Sequence, residues 1–110
     1  MARLDETQIA DALARLPGWA RVGDALQRQF TFSSFPDAVA FVVRLAFDAE
    51  LADHHPDVTI SHRRVTLRYW THSEGGITLK DVEGARAVDR LHVPGPSYQS
   101  RRQVVRPLPG

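Results

Sequence analysis

The chain contains no cysteine among its 110 residues. Disulfides and thiolate metal sites are thereby excluded, and nothing points to an oxidising compartment. It also lacks any apolar run near the roughly 20 residues needed to cross a bilayer. The opening stretch, MARLDETQIADALARL, carries acids and has no apolar core of the kind a signal peptide needs. These absences lead us to expect a cytoplasmic protein with no membrane partner. Lysine is nearly missing too, since Lys80 is the single lysine among 14 basic residues. Excess charge is small, at +1 overall, and residues 93–110 hold three arginines and no acid. The strongly basic face of a nucleic-acid binder is therefore not expected, and no nucleic-acid partner with it.

A chain of this length suits one domain and buries roughly two thirds of its unfolded surface, enough for a core without covalent staples. Residues 5–15 read as a short amphipathic helix, with Ile9, Ala10, Leu13 and Leu16 at helical spacing and Pro17-Gly18 as its stop. WARVGDALQRQFTF reads as a hairpin turning at Gly23-Asp24. Alternation sets Leu26, Arg28, Phe30 and Phe32 on one face, so Arg28 interrupts an apolar stripe. SSFPDAVAFVVRLAFDAELAD is the strongest helix: Ser33 or Ser34 caps it, Pro36 suits its first turn and Asp37 complements its dipole. Its polar stripe of Asp37, Arg44 and Asp48 is narrow, so a helix apolar over so wide an arc is expected to pack against two surfaces. A partner subunit is one candidate for the second.

This helix should end near His54 or His55, because the residue before Pro56 is pushed out of the α region. Two short strands follow, over 57–61 and 65–71, split by His62-Arg63-Arg64. Val65, Leu67 and Tyr69 share one face of the second; Thr66, Arg68, Trp70 and His72 share the other. A glycine-rich turn leads to a last helix with Thr78 as N-cap and Asp81 three residues on, close to a capping box. Beyond Leu91 the chain is proline-rich and aperiodic, so we divide it into a domain over 1–92 and an extended or disordered tail over 93–110. The order is α-β-β-α-β-β-α, an α+β pattern with a small antiparallel sheet backed by helices.

Four of the five histidines fall between Ala49 and Asp81. Histidine titrates near neutrality, so such a cluster suits either metal binding or proton transfer. Glu50 and His54 lie four apart at a helix end, where a carboxylate can fix an imidazole's tautomer. His72 sits where a strand enters a loop. A helix end, a strand end and the next helix start can meet at one sheet edge, gathering Glu50, His54, His55, Thr71, His72, Lys80 and Asp81. The sequence lacks His-Glu-x-x-His and His-x-His pairs, and adjacent histidines diverge too far to share one ion, so we expect no metal. His62 and His92 read as solvated.

Glu50, three residues, His54-His55-Pro56, then Thr71-His72, a glycine turn and Thr78-x-x-Asp81 together resemble the signature of the pterin-4a-carbinolamine dehydratases. The upstream Leu-Pro-Gly-Trp, the Phe-Thr-Phe strand and the helix from Phe35 fit as well. The resemblance spans residues 5–91. It implies helices on one side of a four-stranded antiparallel sheet, and subunits assembled as homodimers or homotetramers. It implies catalytic histidines at His54, His55 and His72, with Glu50 as supporting acid. Substrate contacts would come from Asp53, Pro56, Thr71, Ser73, Glu74 and Asp81. The chain departs from the family at three places: Val58 replaces an aromatic, His62-Arg63 replaces a Tyr-Asn turn, and Trp70 stands where a small or polar residue is common.

The implied reaction removes water from a 4a-hydroxytetrahydropterin (the 4a-hydroxytetrahydrobiopterin dehydratase reaction, that of a hydro-lyase), giving the quinonoid dihydropterin. It serves pterin recycling beside an aromatic amino acid hydroxylase. One acid and one base suffice; the pterin is the substrate, and no cofactor is needed. We expect His54 and His72 as the acid–base pair, with His55 orienting the pterin, Glu50 orienting His54, and Asp81 orienting His72 or binding the amino-pyrimidinone edge. The alternative is a non-catalytic dimerisation or assembly factor on the same fold.

Overall fold

The computed structural model describes residues 2–92, so the tail expected over 93–110 lies outside the described residues. The order is α1 (Glu6–Leu13), β1 (Ala20–Val22), β2 (Ala25–Thr31), α2 (Phe35–Ala52), β3 (Asp57–Ser61), β4 (Arg64–Tyr69) and α3 (Leu79–Leu91), with a 3₁₀ turn at His72–Glu74 before α3. The strands form one antiparallel sheet in the order β1-β2-β4-β3. This is the α+β arrangement expected from the sequence.

Alternation along the strands produces the buried face. Leu26 stands opposite Tyr69, and Phe30 opposite Val65. These four pack with Leu67, Trp19 and, from the helices, Phe41, Leu45, Val82, Ala85 and Val88 in one continuous core. Arg28, the misfit in that stripe, faces Leu67 across the sheet. Its guanidinium is neutralised by Asp89 of α3 at 2.9 Å and rests 4.4 Å over the Phe30 ring. Asp89 also accepts from the Trp19 indole N–H, so one carboxylate satisfies both polar groups on the apolar face.

Helix α2 begins as expected, with the Ser34 hydroxyl accepting from the Asp37 N–H. Its end is earlier than Pro56 alone requires. Asp53 takes a left-handed conformation, φ 52° and ψ 41°, which closes the helix at Ala52. Aspartate tolerates this region better than most residues. His54 therefore lies outside the helical phase. The outer side of α2 leaves Val43, Phe47 and Leu51 exposed at 51%, 71% and 87%, one row at four-residue spacing.

His92, expected in solvent, is instead half-buried at the C-cap of α3. Its ring packs 4.8 Å from Phe30, 5.7 Å from Phe32 and 5.6 Å from Phe41. Burial, aided by the nearby Arg28 and Arg44 and opposed by Asp89, pushes its pKa below the usual imidazole value. The unfolded chain thus binds the His92 proton more readily than the folded one. The resulting stability is complete above about pH 6.5 and is lost as pH falls from there through the lowered folded value. Denaturant titrations of His92→Phe and wild type at several pH values should show a shallower acid loss in the variant.

Gly84 on α3 makes room for Tyr69. A Cβ built there would lie 2.5 Å from Tyr69 Cε1, inside any tolerable contact. Gly84→Ala is expected to destabilise the fold by about 1–3 kcal/mol despite alanine's better helix propensity, because the ring is hemmed in by the core. A lowered midpoint in urea checks this; a raised one would mean that the ring yields freely.

Candidate active site

Three chain segments meet where α2 ends, β4 ends and α3 begins. The left-handed turn at Asp53 lets the His54 amide donate to the Ala49 carbonyl at 3.1 Å and swings its ring toward α3. There His54 Nε2 meets Asp81 Oδ1 at 2.5 Å. Asp81 sits at the third position of α3, with Thr78 as N-cap, and the expected capping box is complete. The carboxylate is fully buried. Its Oδ2 accepts from the Thr78 N–H and the Thr71 hydroxyl, both at 2.9 Å.

The proton inventory fixes the direction of every bond in this group. Asp81 as a carboxylate only accepts, so Thr71 donates to it. The 2.7 Å contact between the two threonine hydroxyls is then a donation from Thr78 to Thr71, and Thr78 accepts from the Lys80 N–H. By the same rule His54 Nε2 carries a proton for Asp81. In the neutral ring the lone pair then sits on Nδ1.

Tyr69 forms the back wall, its ring stacked on His54 with centroids 5.8 Å apart and planes 26° apart. Burial foremost, then the Asp81 and Asp48 charges, drives the phenol pKa far upward, so the hydroxyl stays protonated. His54 and Tyr69 line a cavity of about 340 Å³ between α2 and α3, whose walls also include Leu45, Ala49, Lys80 and Gly84. That volume falls within the range of small-molecule sites.

The other two histidines are more open. His55 Nε2 lies 3.0 Å from Glu50 Oε1, and both side chains are exposed. The pairing expected of Glu50 with His54 is thus made with His55 instead. Counting by four residues holds only inside a helix, and Asp53 ends the helix between them. Asp81, expected to orient His72 or to bind a substrate edge, holds His54 and has both oxygens engaged. His72 stacks face to face on Trp70, with centroids 3.8 Å apart, while the Trp70 indole N–H donates to Asp57 at 2.9 Å.

His54, Thr71, Thr78 and Asp81 therefore form one hydrogen-bonded group. His55 adjoins it as the chain neighbour of His54, and His72 as the neighbour of Thr71. Among the described residues no hydrogen bond or ring contact links the histidines to one another. Asp53 serves as the α2 cap, Pro56 leads into β3, and Ser73 and Glu74 are exposed in the 3₁₀ turn. Sequence reasoning overlooked Tyr69 as a site wall. The signal was a glycine on α3 able to admit a large ring, but only tertiary packing pairs those two positions. Among the described residues no three His, Asp or Glu side chains are grouped to hold a metal ion.

Comparison with known proteins points one way. The family model described as pterin 4 alpha carbinolamine dehydratase matches residues 2–91. A protein of Thermomicrobium roseum is 52% identical over 91 residues, covering 83% of this chain and 98% of its own length. One from Mycobacteroides abscessus is 53% identical over 89 residues, covering 81% of this chain and 95% of its own. Both are named "Putative pterin-4-alpha-carbinolamine dehydratase". The crystal structure of a transcriptional coactivator/pterin dehydratase from Brucella melitensis superposes with TM-score 0.78 at 37% identity, over 81% of this chain and 97% of that one.

Proposed function

The chain belongs to the pterin 4 alpha carbinolamine dehydratase family, and on that premise we propose that it removes water from a 4a-hydroxytetrahydropterin by histidine acid–base catalysis. The observation that carries this reading is the buried Asp81 carboxylate holding His54 Nε2 at 2.5 Å, which commits the imidazole to one tautomer. Nδ1 of His54 then accepts the proton leaving the pterin N5. His72 donates a proton to the 4a-hydroxyl, whose C–O bond breaks with loss of water. The electron pair freed at N5 forms the C4a–N5 double bond of the quinonoid product. Solvent restores both histidines, so the balance needs no cofactor and no metal. His55, braced by Glu50, orients the ring, with Asp53, Pro56, Thr71, Ser73 and Glu74 in the substrate-facing segments.

The site would act in the cytoplasm, in recycling for an aromatic amino acid hydroxylase, which supplies the 4a-hydroxypterin. The reading is tested by generating 4a-hydroxytetrahydropterin enzymatically and following quinonoid product. Wild type should exceed the spontaneous rate; an unchanged rate from folded protein would remove the enzyme reading.

The exposed row of Val43, Phe47 and Leu51 supports a homo-oligomer, a dimer or tetramer, in which a second copy covers α2. Phe47→Glu should shift sedimentation toward a smaller species, while an unchanged distribution would place the interface elsewhere. The same row also favours the second reading, a non-catalytic dimerisation or assembly factor. That reading would be supported by oligomeric wild type without catalysis.

A further inference from the structure

Trp70 has no place in the hydrophobic core, yet it is a large aromatic fixed at two points on the sheet's outer side. Its indole N–H is latched to Asp57 on β3 at 2.9 Å, and its ring face lies 3.8 Å from that of His72, 27° from parallel. Trp70 directly follows β4, whereas His72 belongs to a short 3₁₀ turn and is exposed. A histidine so placed samples several rotamers unless something holds it. Its backbone is already held. Thr71 pairs with Gly76 and is tied through its hydroxyl to Asp81. Among the described residues no hydrogen bond holds the ring, and its aromatic contact is the stack on Trp70.

We propose that Trp70 is a positioning residue for His72, with Asp57 as its latch: stacking fixes the imidazole plane so that its nitrogens meet the substrate's leaving hydroxyl in one orientation. This rests on the dehydratase reading above, in which His72 is the acid. The latch matters because an indole unanchored at its N–H could rotate and carry the imidazole with it. The stack uses one face of the imidazole and leaves both ring nitrogens free, as a proton donor requires. Misplacing a catalytic group by about 1 Å can lower a rate about 100-fold. Loss of the stack should therefore act on turnover rather than on binding.

The test is a double-mutant cycle with an independent spectroscopic arm. Trp70→Ala is expected to lower kcat about 10- to 100-fold with KM within about threefold, and Trp70→Phe, which keeps a stacking face but loses the N–H latch to Asp57, should recover only part of that loss. In a His72→Ala background, Trp70→Ala should produce no further decrease. In NMR spectra of the substrate-free protein, the His72 ring protons should be displaced upfield in wild type and return toward ordinary positions in Trp70→Ala. An equal loss from Trp70→Ala with and without His72 would overturn the proposal, because Trp70 would then act by another route. Full activity in Trp70→Ala, or ordinary His72 shifts in wild type, would overturn it as well. Failure of the dehydratase reading looks different: wild type gives no acceleration, and the NMR arm alone then decides whether Trp70 fixes His72.

Discussion

Asp81→Asn is expected to lower dehydratase turnover about 100-fold or more while leaving the fold intact, because the substitution reverses a tautomer rather than removing a side chain. The carboxylate accepts on both oxygens: His54 on Oδ1, Thr71 and the Thr78 N–H on Oδ2. An asparagine can supply one acceptor only. If its oxygen keeps Thr71 and Thr78, its NH₂ faces His54 and must find a lone pair on Nε2. The His54 proton then moves to Nδ1, the nitrogen proposed to accept the N5 proton. The opposite flip would set the amide NH₂ against the Thr78 N–H, two donors in contact within a fully buried site. Loss of the charged cap at the start of α3 should also destabilise by about 1 kcal/mol, roughly 4–8 °C in melting temperature. Steady-state kinetics and a thermal melt of the same preparation separate the two effects. Near-wild-type turnover with a lowered melting temperature would leave Asp81 as a helix cap and nothing more.

The second large effect contrasts two adjacent residues. His54→Gln should lower turnover about 10²–10⁴-fold, the range carried by a positioned acid or base. The glutamine amide can still donate to Asp81, so the buried carboxylate keeps a partner and the protein should fold. His55→Ala should chiefly raise KM and leave the melting temperature unchanged, since its ring and Glu50 are both exposed. Equal turnover losses at the two positions would show that the buried pair has no privileged part in the chemistry.

Much of this arrangement was legible in the chain. The Thr78/Asp81 spacing announced the capping box, and alternation in β4 separated Val65, Leu67 and Tyr69 from Thr66 and Arg68. The meeting of the α2 end, the β4 end and the α3 start, which joins His54, Thr71 and Asp81, could be drawn from element order alone. The histidines' partners could not. Glu50 and His54 satisfy helical arithmetic, but the left-handed Asp53 lies between them and turns His54 toward α3. The carboxylate His54 reaches is 27 residues away, a distance no local spacing encodes. His92 follows the last turn of a helix and looks solvated in sequence; three phenylalanines from β2, its edge and α2 close around it only in the folded chain. Gly84 and Tyr69 likewise make sense only together, one residue vacating the space that the other fills.

The first measurement is therefore the dehydratase assay on enzymatically generated 4a-hydroxytetrahydropterin, with wild type, His54→Gln and His72→Ala side by side and each shown to be folded by circular dichroism. If His54 and His72 move the protons, wild type accelerates quinonoid formation and each variant falls about 100-fold or more toward the spontaneous rate. If folded wild type matches the spontaneous rate, or if both variants keep wild-type turnover, proton transfer by these histidines is not what this site does.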